Sequence, residues 1–289
     1  RMMHKALEQM NIKIQHVIAD ITGKSGQEIV KSIIAGERNA EILASCCDSR
    51  IRAHKKEGII KSLTGVWKEE HVFELEQSYS IYQFYHAKLK ECDAKIEEHL
   101  REKSGVDTFV EHKKKEKSNK NNLNFNGKEM LYELTGTDLA EIFGITETNA
   151  IEIISEVGLD MSKWPTVKHF TSWLNLAPNN KISGGKVLSS RIPKKKNHAG
   201  QIFRMAAFAI QRSKNWLAMF YNRIKAKNGA PKAIVATARK IAAIFYKMIK
   251  ERVKFNPIPI EKYMDGFKEN QIKKLKRQAK NLGLQIVEM

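Results

Sequence analysis

The chain has 289 residues, 42% of them hydrophobic and only 6 of them proline, which excludes a disordered chain and leaves room for two cores of ordinary size. Lys and Arg number 51 against 32 Asp and Glu, a formal net charge of +19, which points to an acidic partner and above all to nucleic acid. Cys46, Cys47 and Cys92 match neither a zinc spacing nor a disulfide framework, so a reducing cytoplasm is the expected setting. No apolar run reaches the ~18 residues that a bilayer span needs, and Arg1-Met-Met-His is not a signal peptide.

From the front, Met3, Leu7, Met10, Ile14, Val17, Ile18 and Ile21 recur at helical steps and predict an amphipathic helix or a broken pair. Gly23-Lys-Ser-Gly follows, and because Ile18 stands five residues before Gly23, where a phosphate loop needs its first glycine, it is not a nucleotide site. Ile29, Ile33 and Ile34 predict a short helix that ends at Gly36. Leu75, Tyr79, Tyr82, Leu89, Ile96 and Leu100 share one heptad register, with His86 and Asp93 as its polar members, and predict a long coiled-coil helix.

Residues 111–128 are polar, Asn-rich and almost free of apolar anchors, so they are expected to be a linker. Beyond them, Leu139, Ile142 and Phe143 lead into Gly144-Ile145-Thr146, and Ala150, Ile151, Ile153 and Ile154 follow. Two helical stretches around a glycine turn suit a helix-hairpin-helix, which offers turn N–H groups to a nucleic-acid backbone, and equally an ordinary helical hairpin. The apolar steps from Met205 to Tyr221 predict one or two helices, Pro231 opens another whose inner face runs from Ile234 to Ile249, and the stretch from Ile272 to Leu284 is a basic amphipathic tail.

The candidate site lies between Leu176 and Arg204. From Met161 to Lys250 there are 19 Lys and Arg and no Asp or Glu, so this segment carries the charge excess of the whole chain. Inside it Ser183-Gly184-Gly185-Lys186 places a serine beside two glycines that permit positive φ and a phosphate-binding turn. Lys181, Lys186, Arg191, Lys194, Lys195, Lys196 and Arg204 surround that turn, as cations that would position a phosphate backbone, and Asn197 stands among them. A solvated basic loop would have the same composition, and Ser189 and Ser190 are rival hydroxyls without glycine neighbours.

Taken in order, these residues resemble the IS-one-ten group of insertion-sequence transposases, which includes the Piv and MooV invertases. The likeness runs through Asn11-Ile12-Lys13-Ile14, Asp20, Gly23 to Gly26, Ala35-Gly36-Glu37, Gly144-Ile145, Ser155-Glu156-Val157-Gly158, Asp160-Met161-Ser162 and Trp164. It continues through Leu176-Ala177-Pro178, Ser183 to Lys186, Arg191-Ile192, Lys194, Asn197 and Arg204. Phe143, Thr146 and Asn175 depart from the family pattern, which has proline, glycine and glycine there.

The resemblance implies a mainly α protein, with a helical coiled-coil region at 1–110, the linker at 111–128, a transposase domain at 129–255 and a basic helical tail at 256–289. It implies transposition or site-specific recombination of DNA with Ser183 as the nucleophile, Lys181, Gly184, Gly185, Lys186, Arg191, Lys194, Lys195, Lys196, Asn197 and Arg204 holding nucleic acid, a structured guide RNA as second partner, and a homo-oligomer. The family's RuvC-like domain, whose four acidic residues hold magnesium, is expected to be missing from this sequence, which would make it a truncated form, so no residue here is assigned to a metal and the chain by itself is expected to be inactive. A non-catalytic DNA- or RNA-binding protein that keeps the basic domain is the alternative, and a helical scaffold kept soluble by its charge is a third reading.

Overall fold

A computed structural model describes residues 1–104, 123–190, 192 and 197–284, and they divide into two compact units, Arg1–Asp93 and Ala94–Met289. Twelve α-helices and one two-stranded sheet make up the regular structure of the described residues, so the fold is mainly α.

In the first unit α1 (Met2–Gln9) stops where Asn11 takes a left-handed φ of 57°. The front apolar pattern is thereby a broken element, with only a 3-10 turn at Ile14–His16 after the break. Gly23 caps α2 (Lys24–Ile34), and the Ser25 hydroxyl accepts the Asp48 N–H at 2.9 Å, so the Gly-Lys-Ser stretch serves to start a helix and to tie it to the next corner. Asn39 and Asp48 cap α3 (Ala40–Ser45) and α4 (Ser49–Leu63), each accepting an N–H of the first turn with its side chain. The core gathers Leu7, Met10, Ile29, Ile33, Leu43 and Ile59, all fully buried.

The heptad pattern becomes α5 (Glu69–Ser104), a helix of 36 residues. Its seam is not packed evenly. Leu75 and Tyr79 are buried in the first core, whereas Leu89 is 62% and Ile96 37% exposed, and Leu100 is buried again beside Phe125 and Met130. Most of the linker expected at 111–128 lies outside the described residues, and its last two residues, Gly127 and Lys128, already belong to a helix.

In the second unit, α6 (Gly127–Thr135) and a 3-10 turn at Leu139–Glu141 lead through Gly144 into α7 (Glu147–Val157) and then α8 (Val167–Trp173). After the sheet come α9 (His198–Ala209), α10 (Trp216–Asn228), α11 (Ala230–Glu251) and α12 (Ile260–Asn281). The apolar steps after Phe203 are thus two helices, separated by a 3-10 turn at Ile210–Arg212. Pro231 sits in the first turn of α11, where its missing N–H costs no helical hydrogen bond.

Helices α9 and α11 pack closely because Ala206, Ala207, Ala238 and Ala242 line their buried faces. Phe170 of α8, Phe203 of α9 and Phe245 of α11 fill the space between them, with ring centroids 6.5 Å (Phe170–Phe203) and 5.4 Å (Phe203–Phe245) apart in edge-to-face geometry. Each such ring contributes about 2–3 kcal/mol by leaving water.

Of the two helical stretches expected around the Gly144 turn, only the second is an α-helix. What precedes Gly144 is the short 3-10 turn, and Gly144 has a φ of 84° with its α-carbon turned against α9. A Cβ there would lie 2.6 Å from the Ala206 carbonyl oxygen. Thr146, where the family pattern has glycine, is the N-cap of α7: its hydroxyl accepts the Asn149 N–H at 3.2 Å and donates to the Asn149 side chain at 2.7 Å.

Candidate nucleic-acid interface

The Ser-Gly-Gly-Lys motif is the tip of a β-hairpin, an element that a helical reading of this region does not anticipate. Strand β1 (Lys181–Ser183) pairs antiparallel with β2 (Lys186–Ser189), and Ser183 faces Lys186 across a two-residue turn. Gly184 and Gly185 have φ of 54° and 74°, the double left-handed backbone that the tightest hairpins require and that glycine adopts without strain. Nothing lies within 4 Å of where a Cβ would sit on either glycine, so the tip is open to a ligand from the outside.

Lys181, Ser183 and Lys186 are all exposed, and so are Ile182 and Leu188, at 63% and 71%. A two-stranded ribbon with bare apolar residues is marginal by itself, and this one is held from below. Ser189 is half-buried and Ser190 exposed. Arg191, Lys194, Lys195 and Lys196, four of the cations expected around the turn, lie outside the described residues.

The neck of the excursion explains the remaining motif residues. Asn175 ends α8 in left-handed geometry, φ 55°, so the non-glycine residue at this position adopts the backbone a glycine would. Arg204 of α9, half-buried, donates to the Asn175 carbonyl at 2.7 Å, and burial lowers the pKa of its guanidinium. Asn197 caps α9: its side-chain oxygen accepts the Gly200 N–H at 2.7 Å, and its amide donates to the Trp173 carbonyl at 3.1 Å. Gly200 completes the closure, because a Cβ there would lie 2.1 Å from the Leu174 carbonyl oxygen.

Asn197 and Arg204, read from the sequence as nucleic-acid contacts, therefore hold the two ends of the excursion together in this structure. The structure brings Lys181, Ser183, Gly184, Gly185 and Lys186 to one exposed tip and sets Asn197 and Arg204 at its base. Leu174 and Leu176, both buried, anchor the base in the core.

A residue with no role assigned from the sequence also meets this region. Glu156 at the end of α7 lies 3.6 Å from His198 Nδ1 at the start of α9, so a carboxylate from outside the acid-free segment reaches its middle. The Ser-Glu-Val-Gly motif contained it, but only the fold shows what it faces. Among the described residues no group of three or more His, Cys, Asp or Glu converges, and no helix is long and apolar enough to cross a membrane.

Other cations of the segment have inward tasks. Lys250 donates to the Pro165 carbonyl at 3.2 Å and to the Tyr246 hydroxyl at 2.7 Å, while that hydroxyl donates to the Trp164 carbonyl at 2.7 Å. Lys163, Lys168, Arg212, Lys214, Lys225, Lys227 and Lys232 are exposed and leave the surface of the unit strongly basic.

No curated protein matches the chain. Residues 136–222 match the model of the Transposase IS116/IS110/IS902 family, a span that begins just before the Gly144 turn, contains the hairpin with its neck, and ends within α10. Over this span the chain is similar to the IS110-group transposases, and the match supports a transposase domain here.

Proposed function

We propose that this transposase domain rearranges DNA through Ser183, acting as nucleophile at the tip of the hairpin. The observation that carries the reading is the exposed Ser183-Gly184-Gly185-Lys186 turn, set by a closed neck inside the family-matched span, in a stretch of chain with 19 Lys and Arg and no Asp or Glu of its own. In the step, the Ser183 oxygen forms a bond to phosphorus, the bond from phosphorus to one bridging oxygen of the DNA breaks, and the freed DNA oxygen takes up a proton. The serine proton goes to a base. Lys181 and Lys186 offset charge on the non-bridging oxygens.

Magnesium belongs to the proposal only through a RuvC-like domain. Its ligands are proposed on that domain, and no step is routed through a metal on this chain. The partners proposed are DNA, a structured guide RNA and further copies of the chain, in the cytoplasm. The bare stretch of α5 around Leu89 and Ile96 supports the self-association, because a heptad seam packed at its ends and exposed in its middle fits a second helix.

The test is covalent trapping. The chain is mixed with element-end DNA, guide RNA, magnesium and a RuvC-like domain of the family, then denatured and resolved by electrophoresis. A DNA adduct is expected, Ser183→Ala is expected to abolish it, and DNA binding is expected to stay within about twofold, since one exposed hydroxyl contributes little to a charge-dominated contact. An adduct that survives Ser183→Ala and vanishes with Ser190→Ala would move the nucleophile along the hairpin.

A further inference from the structure

Helix α12 is 22 residues long and none of its side chains is fully buried. Its ring contacts with the rest of the unit come from its first two turns. Tyr263 lies 5.8 Å from the Trp216 ring of α10, and Arg223, also on α10, places its guanidinium 5.7 Å from the Tyr263 ring and 4.7 Å from the Phe267 ring. Arg223 also lies 5.3 Å from Phe220, whose ring is shared by Lys240 of α11 at 4.8 Å, and Lys240 lies 5.6 Å from Trp216.

Two cations thus meet four aromatic rings, and among the described residues neither cation has a salt bridge. Burial, together with the neighbouring Arg223, lowers the pKa of the Lys240 ammonium. The cover is also poorly satisfied. Among the described residues, buried side-chain N and O atoms without a hydrogen-bond partner occur at Gln15, Trp216, Thr237 and Tyr263, and the last three stand on α10, α11 and α12. Trp216 is only 7% exposed, so its indole N–H is shut in with nothing to bond.

The connection suits a movable cover. Arg252 ends α11 in left-handed geometry, φ 49°, and residues 253–259 then run without helical hydrogen bonds to the start of α12. The chain is held over the first part of this strap, where the Thr137 hydroxyl donates to the Val253 carbonyl at 3.0 Å and the Phe255 ring meets Phe143 at 5.2 Å, so any movement of the cover starts beyond Phe255.

We propose that Trp216, Phe220, Arg223 and Lys240 form a seat for single-stranded nucleic acid, and that Tyr263 and Phe267 cover it until the strand displaces them. The inference rests on the nucleic-acid reading above and adds a second site to it. A phosphate bonds a guanidinium and an ammonium by charge-assisted hydrogen bonds that aromatic faces cannot match, and a base replaces Tyr263 on the indole. Trp216 and Phe220, one turn apart on α10, are the stacking surface. Rings and cations of this kind do not read the sugar, so oligothymidylate and oligouridylate are expected to bind alike.

The experiment uses the full chain and fluorescein-labelled oligothymidylate and oligouridylate of about ten nucleotides, within the usual footprint of such sites, with anisotropy read at one fixed salt concentration. Tyr263→Ala with Phe267→Ala removes the cover and is expected to tighten binding about tenfold, the equivalent of one stacked ring. Arg223→Gln with Lys240→Gln is expected to weaken binding about tenfold and, in the quadruple variant, to cancel the gain. With the unaltered chain, unlabelled oligothymidylate is expected to change the tryptophan emission, and Trp216→Phe, which keeps a ring on the seat, is expected to remove that change. Binding that is intact but no tighter without the cover, or a gain that persists in the quadruple variant, overturns the seat and leaves the wider reading standing. No binding of either strand by any form overturns both.

Discussion

The hairpin tip and its neck belong to one stretch of chain, Leu176 to Arg204 with the end of α8 before it, yet they are built in opposite ways. At the neck nearly every motif residue is engaged: Asn175 in left-handed backbone, Asn197 bonded at both ends of its amide, Gly200 against a carbonyl oxygen, Arg204 on the Asn175 carbonyl. At the tip, Ser183 and Lys186 are exposed, and the space beside both glycines is empty. A sequence motif therefore mixes residues that fix a shape with residues that the shape presents, and residue type alone does not separate them.

If the neck is the structural part, its loss should cost the most stability. Gly200→Ala drives a Cβ to 2.1 Å from the Leu174 carbonyl oxygen, and Gly144→Ala one to 2.6 Å from the Ala206 carbonyl oxygen at a φ of 84°. Backbone is the obstacle in both, so relief needs a helix to shift, and a loss of about 3 kcal/mol or more is expected in denaturant unfolding of either variant. A loss below about 1 kcal/mol for Gly200→Ala would mean that the neck is looser than its contacts imply, and the same for Gly144→Ala would say so of the turn before α7.

Arg204→Met keeps the aliphatic stem and removes the bond to the Asn175 carbonyl. About 2 kcal/mol is expected, since a hydrogen bond from a charged donor is lost at a half-buried site. Asn197→Ala removes the cap of α9 and the bond to Trp173, for about 1–2 kcal/mol. Either variant should also weaken DNA binding only as far as it unfolds the neck. A large affinity loss with full stability, measured by anisotropy beside thermal unfolding, would return that residue to the nucleic-acid surface.

The sequence made the helices legible where periodicity was long and punctuated. The heptads gave α5, Pro231 gave the start of α11, and the Gly-Gly pair gave a turn with positive φ. The strands on either side of that pair were not legible, because three and four residues with exposed Ile182 and Leu188 show neither burial alternation nor length. The roles of Asn197 and Arg204 were hidden for a different reason. Their partners Trp173 and Asn175 lie 24 and 29 residues away, and such pairs follow only from the packing of α8 against α9. Thr146 had a local signal, a capping hydroxyl just before a helix, which a comparison with a glycine pattern passes over.

The smallest effects on stability are expected at the tip, and they sharpen the contrast most. Ser183 is exposed, and among the described residues its hydroxyl has no hydrogen-bond partner, so Ser183→Ala should leave unfolding within about 0.5 kcal/mol of the parent. Gly184→Ala meets no atom but must hold a φ of 54°, a conformation that costs a residue with a Cβ about 1 kcal/mol. Because the ribbon packs on nothing at its tip, that strain should open the hairpin locally and leave the global transition unchanged. Amide exchange is the suitable measurement: protection across the Ser183–Lys186 turn should fall in Gly184→Ala and hold in Ser183→Ala, while α9 stays protected in both. If adduct formation then falls in both variants, through lost geometry in one and a lost nucleophile in the other, the tip is the chemical part of the motif and the neck its mounting. A drop in global stability for Gly184→Ala as large as for Gly200→Ala would erase the distinction.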